Sequence, residues 1–302
     1  MRIIFALLVS TLAFSCRVDT TKIKTEGILK VVCTTGMIGD AVLNIGGSFV
    51  EVTSLMGPGV DPHLYKASQG DLTSITGADI IFYNGLHLEG KMGEILEKVS
   101  RYKPVVAMSS TLDSSKLIDL GNDLKDPHIW FDVALWSTGL EGVKNALIAL
   151  DPEHTKGYEN NYLAYLKQLS DLDHWALEQL ASIPEHKRIL ITSHDAFSYF
   201  GQAYNIKVEG LQGISTLAEY GLRDITNMVH YVISKKIHSV FVESSVSKKS
   251  LEAVIQGCEG AGHQLKIGGE LFSDAMGQAG TLDGTYIGMI KHNVKTITEA
   301  LN

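Results

Sequence analysis

Two of the eleven histidines in this chain sit in the same tripeptide. His63 follows Asp61-Pro62 in "GPGVDPHLYKASQGD", and His128 follows Asp126-Pro127 in "KDPHIWFD". Proline fixes φ and pre-orders the backbone that leads to each imidazole. A ring aimed that firmly suits a metal ligand; the bland alternative is a rigid turn with an exposed histidine. His194 is a third candidate, because it directly follows the apolar run "RILITS" and ligands in α/β sheets bind beyond the carboxyl ends of strands. Asp274, in "GGELFSDAMG", follows another strand-like run, although aspartate also serves there as a helix N-cap. Three imidazoles and one carboxylate form an N₃O set for a divalent transition metal, imidazole favouring zinc and the carboxylate admitting manganese.

The remaining histidines have plainer settings. His154, His174 and His186 lie among charges on or beside a long helical stretch, which a solvated face explains. His230, His238, His263 and His292 fall in helices or at element ends without acidic or cysteine partners nearby. His87, in "NGLHLEGKM", follows a strand and suits a structural or supporting role, and Asp283 in "GTLDGTY" reads as a turn. Cys33 and Cys258 form no zinc or CxxC spacing, and Cys33 in "LKVVCTT" reads as a buried small hydrophobe.

The elements that must position the four donors alternate in type. "KVVCTT", "VEVTSLM", "DIIFYNG" and "PVVAMSS" predict strands covered on both faces, and "RILITS", "IKVEGL", "HSVFVES" and "QLKIGGELF" repeat the pattern later. Helical spacing falls between them in "MIGDAVLNIG", "MGEILEKV", "LAEYGLRDITNMVHYVISKK" and "KSLEAVIQGCEG". "SQGDLTSIT" opens with Ser68 and Asp71 at capping-box spacing. The fold expected is α/β: two βα lobes with mostly parallel sheets, residues 28–150 and 184–302, joined by one long helix within 151–183. That helix should run from Glu153 to Ser182 with Tyr162, Leu166, Leu169, Asp173, Ala176 and Leu180 on one face. A helix is a stiffer hinge than a Gly/Ser linker, and the cleft between lobes is a natural binding site.

"MRIIFALLVSTLAFSC" predicts an export signal over residues 1–16, with Arg2 before an apolar stretch and Ser15-Cys16 after it. Cys16 is a candidate lipidation site, the alternative being a secretory signal with an incidental cysteine; residues 17–27 then form a polar tether. The chain carries 34 acidic against 26 basic residues with no basic stripe, which excludes nucleic acid as the expected partner. No later run is apolar enough to cross a bilayer, so any membrane attachment is by lipid alone.

"MGPGVDPHLYKAS", "ADIIFYNGLHLEGKM", "DPHIWFD", "SHDAFSYFGQAY", "GLQGIST" and "GELFSDAMGQAGTLDGTYIGMIKHN" together resemble the metal-binding subunits of bacterial ABC importers, in the TroA-like zinc/manganese branch. The resemblance runs from about Leu29 to the C-terminus. It implies an exported monomer, periplasmic or lipid-anchored, that holds a metal between two lobes and delivers it to an ABC permease. The branch's ligands land on His63, His128, His194 and Asp274. Asp132, Asp195 and Glu243 are candidates to hold the imidazoles from behind. "SSKLIDLGNDLKD" lacks the long histidine-rich loop of many zinc-specific relatives, whereas His194 stands where dedicated manganese relatives often carry glutamate. Zinc therefore ranks first, manganese second and iron third. A metal-dependent hydrolase is the rival class, weakened by four protein ligands and no evident general base. A surface adhesin is the third reading, since some relatives have been described as such.

Overall fold

A computed structural model describes residues 27–218 and 220–302. The leader, Cys16 and all of the tether except Gly27 lie outside the described residues. The first lobe runs β1 (Leu29–Cys33), α1 (Gly36–Gly46), β2 (Val50–Ser54), α2 (Gln69–Gly77), β3 (Ile80–Tyr83), α3 (Gly93–Ser100) and β4 (Val105–Ala107). A small antiparallel pair, β5 (Asp119–Gly121) and β6 (Leu124–Lys125), and the helix α4 (Val133–Leu150) complete it. Its main sheet has the order β2-β1-β3-β4 with every neighbouring pair parallel.

The second lobe follows α5 (Thr155–Ala181) and repeats the plan: β7 (Ile189–His194), α6 (Ser198–Tyr204), β8 (Lys207–Gln212), α7 (Leu222–Lys235), β9 (Ser239–Glu243), α8 (Lys249–Gly260), β10 (Lys266–Leu271) and α9 (Tyr286–Leu301). Its order is β10-β9-β7-β8, again parallel throughout. The expected two-lobed α/β architecture is what forms. Near-continuous burial of β3, β7 and β9 accounts for their unbroken apolar runs, since helices cover both faces.

The joining helix matches expectation in place and length, about 40 Å at 1.5 Å per residue, after one 3-10 turn at Pro152–His154. Its buried face is Tyr158, Tyr165, Leu169, Leu172, Ala176 and Leu180, with Tyr162 and Leu166 packed at the edge and Asp173 accepting the Tyr204 hydroxyl at 2.8 Å. α1 and α4 pack on it from the first lobe, α6 and α9 from the second. One apolar core consequently runs through both lobes, from Leu29 to Leu301, with separate clusters on the outer side of each sheet.

The helix expected over Leu217–Lys236 begins instead at Leu222. Gly221 is extended at φ −120° and its N–H donates to the Asp224 carboxylate at 2.8 Å, which starts the helix there. Residues 213–218 are left as a loop beside the cleft. Cys33 and Cys258 are both buried and free.

Candidate metal centre

His63 lies in the loop between β2 and α2, held at both ends. Asp61 Oδ1 accepts the N–H of His63 at 2.8 Å and that of Leu64 at 3.4 Å, an aspartate turn that adds to the restraint of Pro62. At the far end Ser68 and Asp71 form the expected capping box, and Asp71 also accepts the Tyr65 hydroxyl at 2.7 Å. His128 stands in the second Asp-Pro-His turn, where Asp126 Oδ1 accepts its N–H at 2.9 Å and lies 2.7 Å from its Nδ1. Trp130 packs edge-on to the His128 ring, and its Nε1 donates to the Ser273 carbonyl across the cleft at 3.0 Å.

His194 is the last residue of β7, flanked by β8 and β9. Glu243, the last residue of β9, accepts the His194 N–H at 2.9 Å through Oε1 and faces Nδ1 at 2.5 Å through Oε2. In His128 and His194 alike, a carboxylate behind Nδ1 leaves Nε2 as the atom offered to a metal. Asp274 follows β10 in a bend, with both oxygens buried. Oδ2 lies 3.3 Å from His194 Nε2 and 3.7 Å from His63 Nε2, and Oδ1 lies 3.5 Å from His128 Nε2. His63 Nε2 and His128 Nε2 are 3.3 Å apart.

The structure thus brings together all four residues that the sequence singled out, with donor atoms mutually within 4.8 Å and every side chain at most 2% exposed. A tetrahedral ion with bonds of 2.0–2.1 Å needs donor separations of about 3.3 Å, close to the 3.3–3.7 Å between His63 and His128 and from Asp274 to each ring.

The charges are arranged unevenly. Burial pushes the His63 imidazolium down to about 4, against the attraction of Asp274 and with added repulsion from His128 and His194. Burial also acts against charged His128, but Asp126 and Asp274 outweigh it and raise its pKa to about 9. His194 is raised in the same sense, burial being overcome by Glu243 and Asp274. Asp274 is held well below the carboxylate range, the desolvation cost being exceeded by His194 and His128.

Of the groups expected behind the rings, Glu243 stands at His194. Asp132 instead accepts the Leu135 N–H at 2.9 Å and caps α4, and Asp195 accepts the Ser198 hydroxyl at 2.9 Å. The group the sequence reasoning missed is Asp126; its signal was the aspartate of the tripeptide itself, whose rigidity was credited to proline. His87 is exposed, at φ +65°, and lies outside the cluster.

Comparison with known proteins gives this constellation a family. A family model described as "Zinc-uptake complex component A periplasmic" matches residues 31–300. The manganese-binding lipoprotein MntA of Bacillus subtilis is 47% identical over 98% of this chain and 97% of its own length. The zinc-binding protein TroA of Treponema pallidum is 47% identical over 91% and 90%. The solved TroA structure superposes with a TM-score of 0.89, at 46% identity over 91% of this chain and 99% of that one. Fe(III)-bound YtgA of Chlamydia trachomatis gives a TM-score of 0.80 at 29% identity, over 91% and 98%. No described helix is long and apolar enough to cross a membrane. On these matches, the chain belongs to the ZnuA family, the periplasmic component A of zinc-uptake complexes.

Proposed function

We propose that the protein captures one divalent transition-metal ion outside the cytoplasm with His63, His128, His194 and Asp274 and hands it to an ABC permease. The observation that supports this most is a single cluster of three Nε2 atoms and a carboxylate, drawn equally from two lobes and buried to 2% exposure or less. A pocket that tight admits an ion but no organic substrate, which favours carriage over hydrolysis. Four protein donors also leave no protein-imposed open position of the kind catalytic zinc keeps. Because the ion bridges residues 28–150 and 184–302, its presence sets how the lobes meet, and a permease can distinguish loaded from empty protein. The core shared along α5 limits that change to a small closure or to loop ordering. Lipid on Cys16 would keep the carrier near the membrane.

Zinc is the first choice of ion, because three imidazoles suit it and it stands above manganese and iron in general affinity. Manganese is second: both Asp274 oxygens face the rings, so a bidentate carboxylate can raise the coordination number. Names of similar proteins divide the same way, with a manganese binder and a zinc binder each 47% identical to this chain and an iron-bound structure further off.

The test is a competitive zinc and manganese titration of mature protein stripped by chelator, with His63→Ala alongside. One tight equivalent, lost in the variant, is expected. A stripped protein that takes up neither metal, or a His63→Ala variant that binds like the parent, sinks the proposal.

A further inference from the structure

The stretch "GLQGIST", residues 210–216, supplies no metal donor, yet Gly210, Gln212 and Thr216 bear on the segments that carry two of them. Gly210 lies beside the His194–Asp195 backbone so closely that a β-carbon would come within 2.4 Å of the Asp195 nitrogen and 2.7 Å of the His194 carbonyl carbon. Gln212 pairs in register with His194, and its carbonyl accepts the Asp195 N–H at 3.0 Å. The Gln212 side chain then braces the following loop, donating through Nε2 to the carbonyls of Thr216 at 2.7 Å and Ala218 at 2.6 Å. Thr216, so held, reaches across the cleft: its hydroxyl donates to Asp61 Oδ2 at 2.6 Å. Asp61 is the residue whose other oxygen shapes the His63 turn. On the same loop Gly59, at φ +71°, brings the backbone against the second lobe, where its β-carbon would lie 3.4 Å from the Ser244 carbonyl oxygen.

A second path therefore joins His63 to His194 without passing through the ion. It runs from His63 to Asp61, across to Thr216, through Gln212 and back to His194. Resting on the reading of the four side chains as metal ligands, we infer that Thr216 is a positioning residue whose bond to Asp61 latches the His63 loop over the ion and sets how slowly the metal leaves. The other bonds between the lobes support this division of labour. Trp130 to Ser273, Tyr286 to the Trp130 carbonyl at 2.7 Å and Tyr199 to the Asp126 carbonyl at 3.0 Å are buried, and they hold the His128 side of the cleft. Among the described residues no buried hydrogen bond of this kind ties the His63 loop to the second lobe; its hydrogen bond across the cleft joins half-buried Asp61 and Thr216. Release should begin there, because opening that side breaks one hydrogen bond while opening the other breaks several.

The test compares release rates of the zinc-loaded parent, Thr216→Val and Thr216→Ser on mixing with excess chromophoric chelator. Valine keeps the shape and removes the donor; serine restores it. A hydrogen bond to a charged acceptor is among the stronger kind, so Thr216→Val should release zinc roughly tenfold faster or more. Thr216→Ser should stay within about twofold of the parent, and the rate of zinc uptake should be unchanged in both. Equal release rates in parent and Thr216→Val, or equally fast release from Thr216→Ser, would overturn the latch while leaving the ligands in place. A parent that holds no zinc at all removes the ligand reading and the latch together.

Discussion

The two Asp-Pro-His turns are identical in sequence and opposite in electrostatics. In both, the aspartate Oδ1 accepts the N–H of the histidine two residues on, at 2.8 Å for Asp61 and 2.9 Å for Asp126. They diverge in what the carboxylate does next. Asp126 is fully buried and turns the same oxygen to His128 Nδ1, whereas half-buried Asp61 offers its second oxygen to Thr216 on the other lobe. His128, with Asp126 and Asp274 outweighing burial, is held protonated up to about 9, whereas burial keeps His63 neutral down to about 4. One tripeptide thus yields a carboxylate-backed imidazole and one held neutral. The environment decides which, through burial and partner choice.

The largest difference should appear when each imidazole is removed. His128→Ala leaves Asp126 and Asp274 buried without the cation between them. Breaking a buried pair that way costs about 3–5 kcal/mol, so the empty variant should melt far below the parent in thermal or denaturant scans. His63→Ala removes a neutral ring, so no buried charge loses its partner and the loss is one of packing alone. Its empty form should lie within about 1 kcal/mol of the parent. Both variants lose metal. Equal destabilisation of the two would mean that the two turns do not differ in charge.

The pH dependence of the empty protein tests the same contrast with less force. His128, raised from 6.5 to about 9, contributes stability that is complete below pH 6.5 and is lost as pH climbs through 9. His63, lowered from 6.5 to about 4, works the other way: the unfolded chain takes up its proton first, so stability falls as pH drops from 6.5 towards 4. Melting temperature should therefore peak near pH 6.5 in the empty protein. His128→Ala should flatten the alkaline limb and His63→Ala should soften the acid one. Metal replaces the protons, so loaded protein should show no alkaline decline, while affinity rises with pH because His128 and His194 must shed protons to bind.

Next in size is the support behind each ring. Asp126→Asn keeps the turn but weakens the hold on His128 Nδ1, and losses of this kind cost roughly 10–100-fold in metal affinity, measurable by competition with a chelator. The variant matters also for what the sequence could reveal. The four clustered residues were legible because rigid turns and strand ends advertise direction, and Glu243 only as one of three acids named to back the rings. Asp126 was hidden in plain view, since proline alone seemed enough to explain the turn, and its contact with its own histidine depends on a side-chain rotamer that no spacing encodes. Asp132 shows the reverse error: an acid before a helical run is a cap first, and Leu135 takes it. α4 and α9 went unnamed although both carry buried apolar faces. The start of α7 was misplaced because apolar Leu217 continued the pattern past Gly221. The link from Thr216 to Asp61 spans 155 residues, and nothing local marks it.

The smallest effect belongs to the prolines. Pro62 and Pro127 each limit the unfolded chain, so replacing either by alanine should cost about 0.4–1 kcal/mol of stability, with little to separate them in a melt. Metal affinity should separate them. His128 keeps Asp126 on both its N–H and its ring, and Tyr199 on the Asp126 carbonyl, so Pro127→Ala removes one restraint among several. His63 depends on Pro62, the Asp61 turn and one bond to a loop. Pro62→Ala should weaken zinc binding by several-fold more than Pro127→Ala at equal stability. Equal affinities would show that the His63 loop is as firmly built as its twin, and that the asymmetry between the turns is one of charge alone.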